Sequence, residues 1–127
     1  MFKGMLPDRG RALDRLAVAA DFDDLDTLKE HVRIYERVGL TKAGLEIISA
    51  VGLQPVREVV EAAGGTVLVD LKLKDIPTTV HKAVLALARQ GYFAVTIHAD
   101  GTEEMLRAAV EAADIVEAET GHRILLI

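Results

Sequence analysis

Asp70 and Lys72 bracket a single leucine at the end of an apolar run, and their types are those of proton chemistry. Side chains two apart in an extended segment point to the same face. A lysine held among carboxylates stays protonated, and a protonated lysine is both a proton donor and a clamp for developing negative charge. Asp21 closes another apolar run, Lys42 lies in a second, and His98 ends a third. Any one D-x-K reads equally as a structural ion pair at a strand end. Four strands that deliver polar groups to one rim argue for a site, because each charge costs free energy unless paired. His98 itself reads either as a ligand contact or as a hydrogen-bonded spacer. His31, His81 and His122 fall on predicted helices or turns and are expected to be solvated. The acidic run Asp21, Asp23, Asp24, Asp26 lacks the Gly and distal Glu of a calcium loop. Asp23, Asp24 and Asp26 are expected in the first turn of a helix, where acids are favoured.

The elements that must position these groups alternate along the chain. Leu16 to Ala20 predicts a strand, and Leu25, Leu28, Val32 and Tyr35 recur at helical spacing up to Gly39. Leu40 to Leu45 predicts a second strand. A helix carrying Ile47, Ile48 and Val51 follows, broken near Gly52 and resumed behind Pro55 as far as Gly64-Gly65. Thr66 to Leu71 predicts a buried third strand, and Asp75-Ile76-Pro77 a loop before a helix that ends near Gly91. Phe93 to His98 predicts the fourth strand. A helix from about Thr102 places Glu103 and Glu104 at its positive end, and a last apolar run spans Arg123 to Ile127.

Strands separated by helices at such regular spacing are the signature of βαβ units and a parallel sheet. No Gly-rich dinucleotide fingerprint follows the first strand, which favours a closed (β/α)8 barrel over an open doubly wound sheet. The 127 residues supply four complete units and the start of a fifth, whereas a barrel needs roughly 200 or more. The expectation is one domain, 1–127, forming the N-terminal half of a longer α/β barrel. Composition narrows the function: 15 Lys and Arg against 20 Asp and Glu give a net charge of −5, and half the residues are hydrophobic. That content of apolar residues excludes a disordered chain. Absence of cysteine excludes disulfides, thiolate nucleophiles and thiolate metal sites. Few aromatics, no tryptophan and negative charge argue against nucleic-acid binding. No apolar run reaches a membrane span, and the opening residues lack a signal peptide's apolar stretch, so a cytoplasmic location is expected.

The stretch Val69-Asp70-Leu71-Lys72-Leu73-Lys74-Asp75-Ile76-Pro77-Thr78-Thr79-Val80 closely resembles the D-x-K-x-x-D-I-P-x-T-V signature of orotidine 5′-phosphate decarboxylases. Ala20-Asp21-Phe22-Asp23, Thr41-Lys42-Ala43-Gly44-Leu45-Glu46 and Val95-Thr96-Ile97-His98-Ala99-Asp100-Gly101 agree with that family in order and spacing. The resemblance implies a dimeric (β/α)8 lyase of pyrimidine (UMP) biosynthesis that converts orotidine monophosphate to uridine monophosphate with no cofactor and no metal. It implies that Lys72 protonates C6 as carbon dioxide leaves, and that Asp70 lies beside the substrate carboxylate. Lys42 would complete an alternating charge array and contact the ribose with Asp21, and His98 is a further candidate substrate contact. Asp75, Ile76 and Thr79 would reach the site of the partner in a homodimer.

A sister group with the same D-x-K-x-x-D, the 3-keto-gulonate 6-phosphate decarboxylases and hexulose-phosphate synthases, binds Mg²⁺ through the strand-three Asp and a strand-two carboxylate. Lys42 stands at that strand-two position and would repel a metal, while Ile76-Pro77 stands where the sister group usually has Ala-Gly. Both favour the metal-free decarboxylase. The family's phosphate grip comes from later strands, so the 127-residue chain by itself is expected to be weakly active or inactive. The alternative class is a non-catalytic half-barrel that only oligomerises.

Overall fold

The computed structural model of the chain describes residues 16–35 and 38–127. Residues 1–15, on which the signal-peptide reading rests, lie outside the described residues. In chain order the elements are β1 (Ala17–Ala19), α1 (Leu25–Ile34), β2 (Leu40–Ala43), α2 (Leu45–Val51), α3 (Leu53–Ala62), β3 (Thr66–Leu73), α4 (Pro77–Arg89), β4 (Ala94–Ile97), α5 (Glu103–Thr120) and β5 (Leu125–Leu126). The strand order is β1-β2-β3-β4-β5, with helices between successive strands. This is an α/β fold with the succession of a (β/α)8 barrel's first units. The residues form two compact units that divide within β3, one ending at Asp70 and the other beginning at Leu71.

In the first unit β1 pairs with β2 and β2 with β3, both parallel. Val67, Val69 and Asp70 are buried along β3, the pattern of a strand covered on both faces. Leu28 of α1, Ile47 of α2 and Val56 and Val60 of α3 complete this core. Pro55 lies inside the first turn of α3, whereas the sequence places the helix start behind it. The first N–H groups of a helix have no intrahelical acceptor, so proline there costs no hydrogen bond. Gly52 joins α2 to α3 at a φ of +87°, a conformation glycine adopts without a Cβ penalty. Asp24 is the N-cap of α1 and not part of its first turn: its carboxylate accepts from the Thr27 N–H at 2.8 Å and the Thr27 hydroxyl at 2.6 Å. Those two bonds hold its carboxyl below the usual Asp range.

In the second unit α4 and α5 pack against each other. Val80, Val84 and Leu87 are buried on α4, and Met105, Ala109, Ala112, Ala113 and Val116 on α5. The alanines allow the backbones a close approach. Thr102 caps α5, with Glu103 and Glu104 in its first turn as expected. β5 continues the parallel order beside β4.

The histidines expected to be solvated are half-buried instead. His31 sits between the rings of Phe22 and Tyr35, at centroid distances of 4.3 and 5.1 Å. His81 Nδ1 lies 3.1 Å from the Ala108 carbonyl and His122 Nε2 3.0 Å from that of Tyr92. Each ring has an apolar body and a polar tip, and packing between elements serves both.

Leu28 is fully buried and Ile34, on the same helix, is 71% exposed. Leu28→Ala should therefore lower unfolding free energy by about 2–5 kcal/mol in urea denaturation, and Ile34→Ala should change it by no more than about 0.5 kcal/mol.

Candidate functional site

Strand register builds the first cluster. Ala19 stands opposite Lys42, and Lys42 opposite Leu68. With side chains alternating along each strand, the positions two residues beyond Ala19 and Leu68 fall on the face to which Lys42 points. Those positions are Asp21 and Asp70. Lys42 Nζ lies 3.0 Å from Asp70 Oδ2 and 3.9 Å from Asp21 Oδ1, so one ammonium is flanked by two carboxylates. The environments differ sharply: the Asp70 side chain is 8% exposed, Lys42 31% and Asp21 64%. Among the described residues Asp70 is the buried charged side chain. Gly44 completes the surround, since a Cβ built there would lie 3.5 Å from Lys42 Nζ, 3.8 Å from Asp21 Oδ1 and 4.0 Å from Asp70 Oδ2. Glycine at this point leaves open the volume next to all three charges. An apolar cavity of the same unit, lined by Val18, Phe22, Leu28, His31, Tyr35 and Val60 among others, holds none of these charged groups.

Lys72, Asp75, Ile76, Thr79 and His98 belong to the second unit. Lys72 is exposed and has a φ of +50°, in the left-handed region. The regular extended backbone of β3 is thus interrupted at Lys72. A lysine in this conformation is strained by roughly 1–2 kcal/mol, a cost that clusters at functional positions. Its N–H donates to Thr96 Oγ1 at 2.9 Å, and one residue on, the Leu73 carbonyl accepts from the His98 N–H at 3.0 Å. The β3–α4 loop is tied by side chains as well. Lys74 Nζ lies 2.7 Å from Asp100 Oδ2, and His98 Nδ1 lies 3.2 Å from Asp100 Oδ1. Asp75 Oδ1 accepts from the Ile76 N–H at 2.7 Å. The Thr79 N–H donates to the Ile76 carbonyl at 3.0 Å, opening α4 with Pro77 at its start. Ile76 is 66% exposed.

Of the residues singled out in the sequence, the described contacts thus join Asp21, Lys42 and Asp70 in one cluster, and His98 to a second one around Asp100. Three contributors were not legible as site residues. Gly44 has no side chain to announce it, Thr96 reads as an ordinary β-branched strand residue, and Asp100 sits in a turn where aspartate is common. The K-x-G spacing of Lys42 and Gly44 was the available signal.

Residues 14–126 match the family model described as orotidine 5′-phosphate decarboxylase / HUMPS family. The chain belongs to this family. It is similar to the orotidine 5′-phosphate decarboxylase of Heliobacterium modesticaldum, 41% identical over 103 residues that cover 80% of this chain and 42% of that protein. The Moorella thermoacetica protein of the same name is 43% identical over 105 residues, covering 82% and 41% respectively. Among solved structures, an uncharacterized conserved protein from Geobacillus kaustophilus superposes with a TM-score of 0.73 at 32% identity, over 87% of this chain and 52% of that one. The chain spans about two fifths of the length of the curated relatives it matches. Among the described residues no helix is long and apolar enough to cross a membrane.

A divalent metal is a poor fit to the first cluster. The ammonium of Lys42 stands 3.0 Å from the Asp70 oxygen that would have to ligate it, and a fixed cation at that distance opposes another. Among the described residues no group of three or more His, Asp or Glu side chains could hold a metal ion.

Lys42→Met removes a cation 3.0 Å from a buried carboxylate and should destabilise the fold by about 1–3 kcal/mol in denaturant titration. Asp21→Asn, at an exposed and longer pair, should cost less than about 1 kcal/mol. The Lys74 hydrogen bond and charge hold the Asp100 carboxyl below the usual Asp range. This pair therefore stabilises the folded chain above the ordinary Asp pKa and ceases to do so as falling pH protonates Asp100. In a ¹³C NMR titration Asp100 should titrate below a reference aspartate, and Lys74→Met should raise it.

Proposed function

We propose that this chain carries the charge array of an orotidine 5′-phosphate decarboxylase, converting orotidine monophosphate to uridine monophosphate and carbon dioxide. The observation that carries the proposal is the ammonium of Lys42 between Asp21 and the buried Asp70, at 3.9 and 3.0 Å. Family membership and the D-x-K-x-x-D-I-P segment support it.

In this reading the C6–carboxylate bond breaks and its electron pair stays on C6. No adjacent π system absorbs that charge, so a fixed ammonium must stabilise it and then quench it. Lys72 supplies both: its charge faces the developing carbanion, and one of its protons passes to C6. Solvent then returns a proton to the amine. Asp70 lies beside the leaving carboxylate, and Lys42 and Asp21 hold the ribose. His98 contributes a further substrate contact. Asp75, Ile76 and Thr79 extend into the site of a second copy in a cytoplasmic homodimer, which gives the exposed Ile76 side chain an apolar partner. The two units belong to one barrel domain, and the phosphate is gripped by its later βα units. The 127-residue chain alone accordingly turns over slowly, because binding energy from the remote phosphate is needed to reach the transition state.

The HUMPS branch of the family is the second reading. The Lys42–Asp70 pair disfavours it, since it places an ammonium where that branch's metal-binding carboxylate would be required.

Loss of the substrate's ultraviolet absorbance reports turnover directly. Lys72→Ala in the enzyme carrying this segment should lower kcat by at least about 10²–10⁴-fold, with an unchanged circular dichroism spectrum. A chelator should leave the rate unaltered. Retained turnover in Lys72→Ala removes the proton-donor assignment, and a strong Mg²⁺ requirement moves the chain to the HUMPS reading.

A further inference from the structure

Lys72 is in a conformation that lysine does not adopt by preference, and the neighbouring strand supplies a side chain to hold it. Among the described residues it is the non-glycine residue with a positive φ. Its N–H donates to Thr96 Oγ1 at 2.9 Å. That bond pins the peptide plane from which the φ of +50° is turned, and together the two set the direction of the Lys72 Cα–Cβ bond.

Thr96 is well suited to the task. Threonine is β-branched and stiff at χ1, so its hydroxyl is delivered from a defined position. The backbone around it is fixed on the far side by β5: the Ile97 N–H donates to the Ile127 carbonyl at 2.7 Å and the Ile127 N–H to that of Val95 at 3.0 Å. On the side of β3, the His98 N–H donates to the Leu73 carbonyl at 3.0 Å. A strained residue persists only where its surroundings over-determine it, and such sites are where function re-aims a side chain.

We propose that Thr96 is a positioning residue for Lys72, its hydroxyl holding the lysine backbone in the left-handed conformation that directs the ammonium. The catalytic consequence rests on the decarboxylase reading above; the structural consequence does not. Removing the hydroxyl lets the backbone relax toward extended geometry and turns the amine away from its target. The methyl group of Thr96 is incidental to this role.

Two measurements test it. In the enzyme carrying this segment, Thr96→Val should lower kcat by about 10–100-fold with KM changed by no more than about threefold, the cost of a small misplacement. Thr96→Ser, which keeps the hydroxyl, should restore kcat to within about threefold of the parent. A Thr96→Val enzyme within about twofold of the parent kcat, or a Thr96→Ser enzyme as slow as Thr96→Val, overturns the proposal. In the 127-residue chain, hydrogen exchange followed by NMR should show the Lys72 amide protected although the residue is exposed. A Lys72 amide that exchanges as fast as an unstructured peptide overturns the proposal even if Thr96→Val does not fold. Failure of the unaltered enzyme to decarboxylate orotidine monophosphate would overturn the functional reading alone and leave the exchange result to decide the role of Thr96.

Discussion

Everything in the first unit is arranged around a carboxylate that should not be buried. Asp70 follows Val67, Leu68 and Val69 on a strand covered from both sides. Removing its charge from water carries a penalty of several kcal/mol. A compensating group is the Lys42 ammonium at 3.0 Å, on the neighbouring strand and in the register that brings both to one face. Lys42 is itself half-buried, so its aliphatic stem packs while its head serves two acids. Slipping β2 by one residue would turn Lys42 to the opposite face and take its ammonium away from Asp70.

Such a pair is a poor way to stabilise a protein, because well-packed hydrophobic residues of similar volume do as well or better. The decarboxylase chemistry proposed above, which calls for fixed charges of alternating sign, accounts for its presence. The second unit tells a parallel story through the backbone. Lys72 is strained in φ, and the groups around it tie β3 and its following loop to β4 through Thr96, His98 and Asp100.

The alternation of strands and helices was legible because burial imposes a period on each element, and the elements fall where the apolar spacing places them. Some boundaries moved. β3 runs two residues beyond its predicted end, to Leu73, whose carbonyl still accepts from the His98 N–H just past β4. β1 and β5 are shorter than their apolar runs. Among the charged residues, Asp21, Lys42 and Asp70 were found by their place at strand ends, a property of sequence. The φ of Lys72 was hidden, since no sequence rule assigns a left-handed conformation to a lysine in an apolar strand. Thr96 was hidden for the complementary reason, its role being a contact 24 residues away in sequence. The half-buried histidines were misjudged because their partners, such as the Tyr92 carbonyl 30 residues from His122, come from separate elements.

The dependence of Asp70 on Lys42 is most directly tested by a double-mutant cycle in denaturant titration, with Lys42→Met, Asp70→Asn and the pair combined. A coupling energy of about 1 kcal/mol or more is predicted, the combined variant being less destabilised than the sum of its parts. Additivity to within about 0.5 kcal/mol would show that the two groups are neighbours without consequence, and would contradict the account.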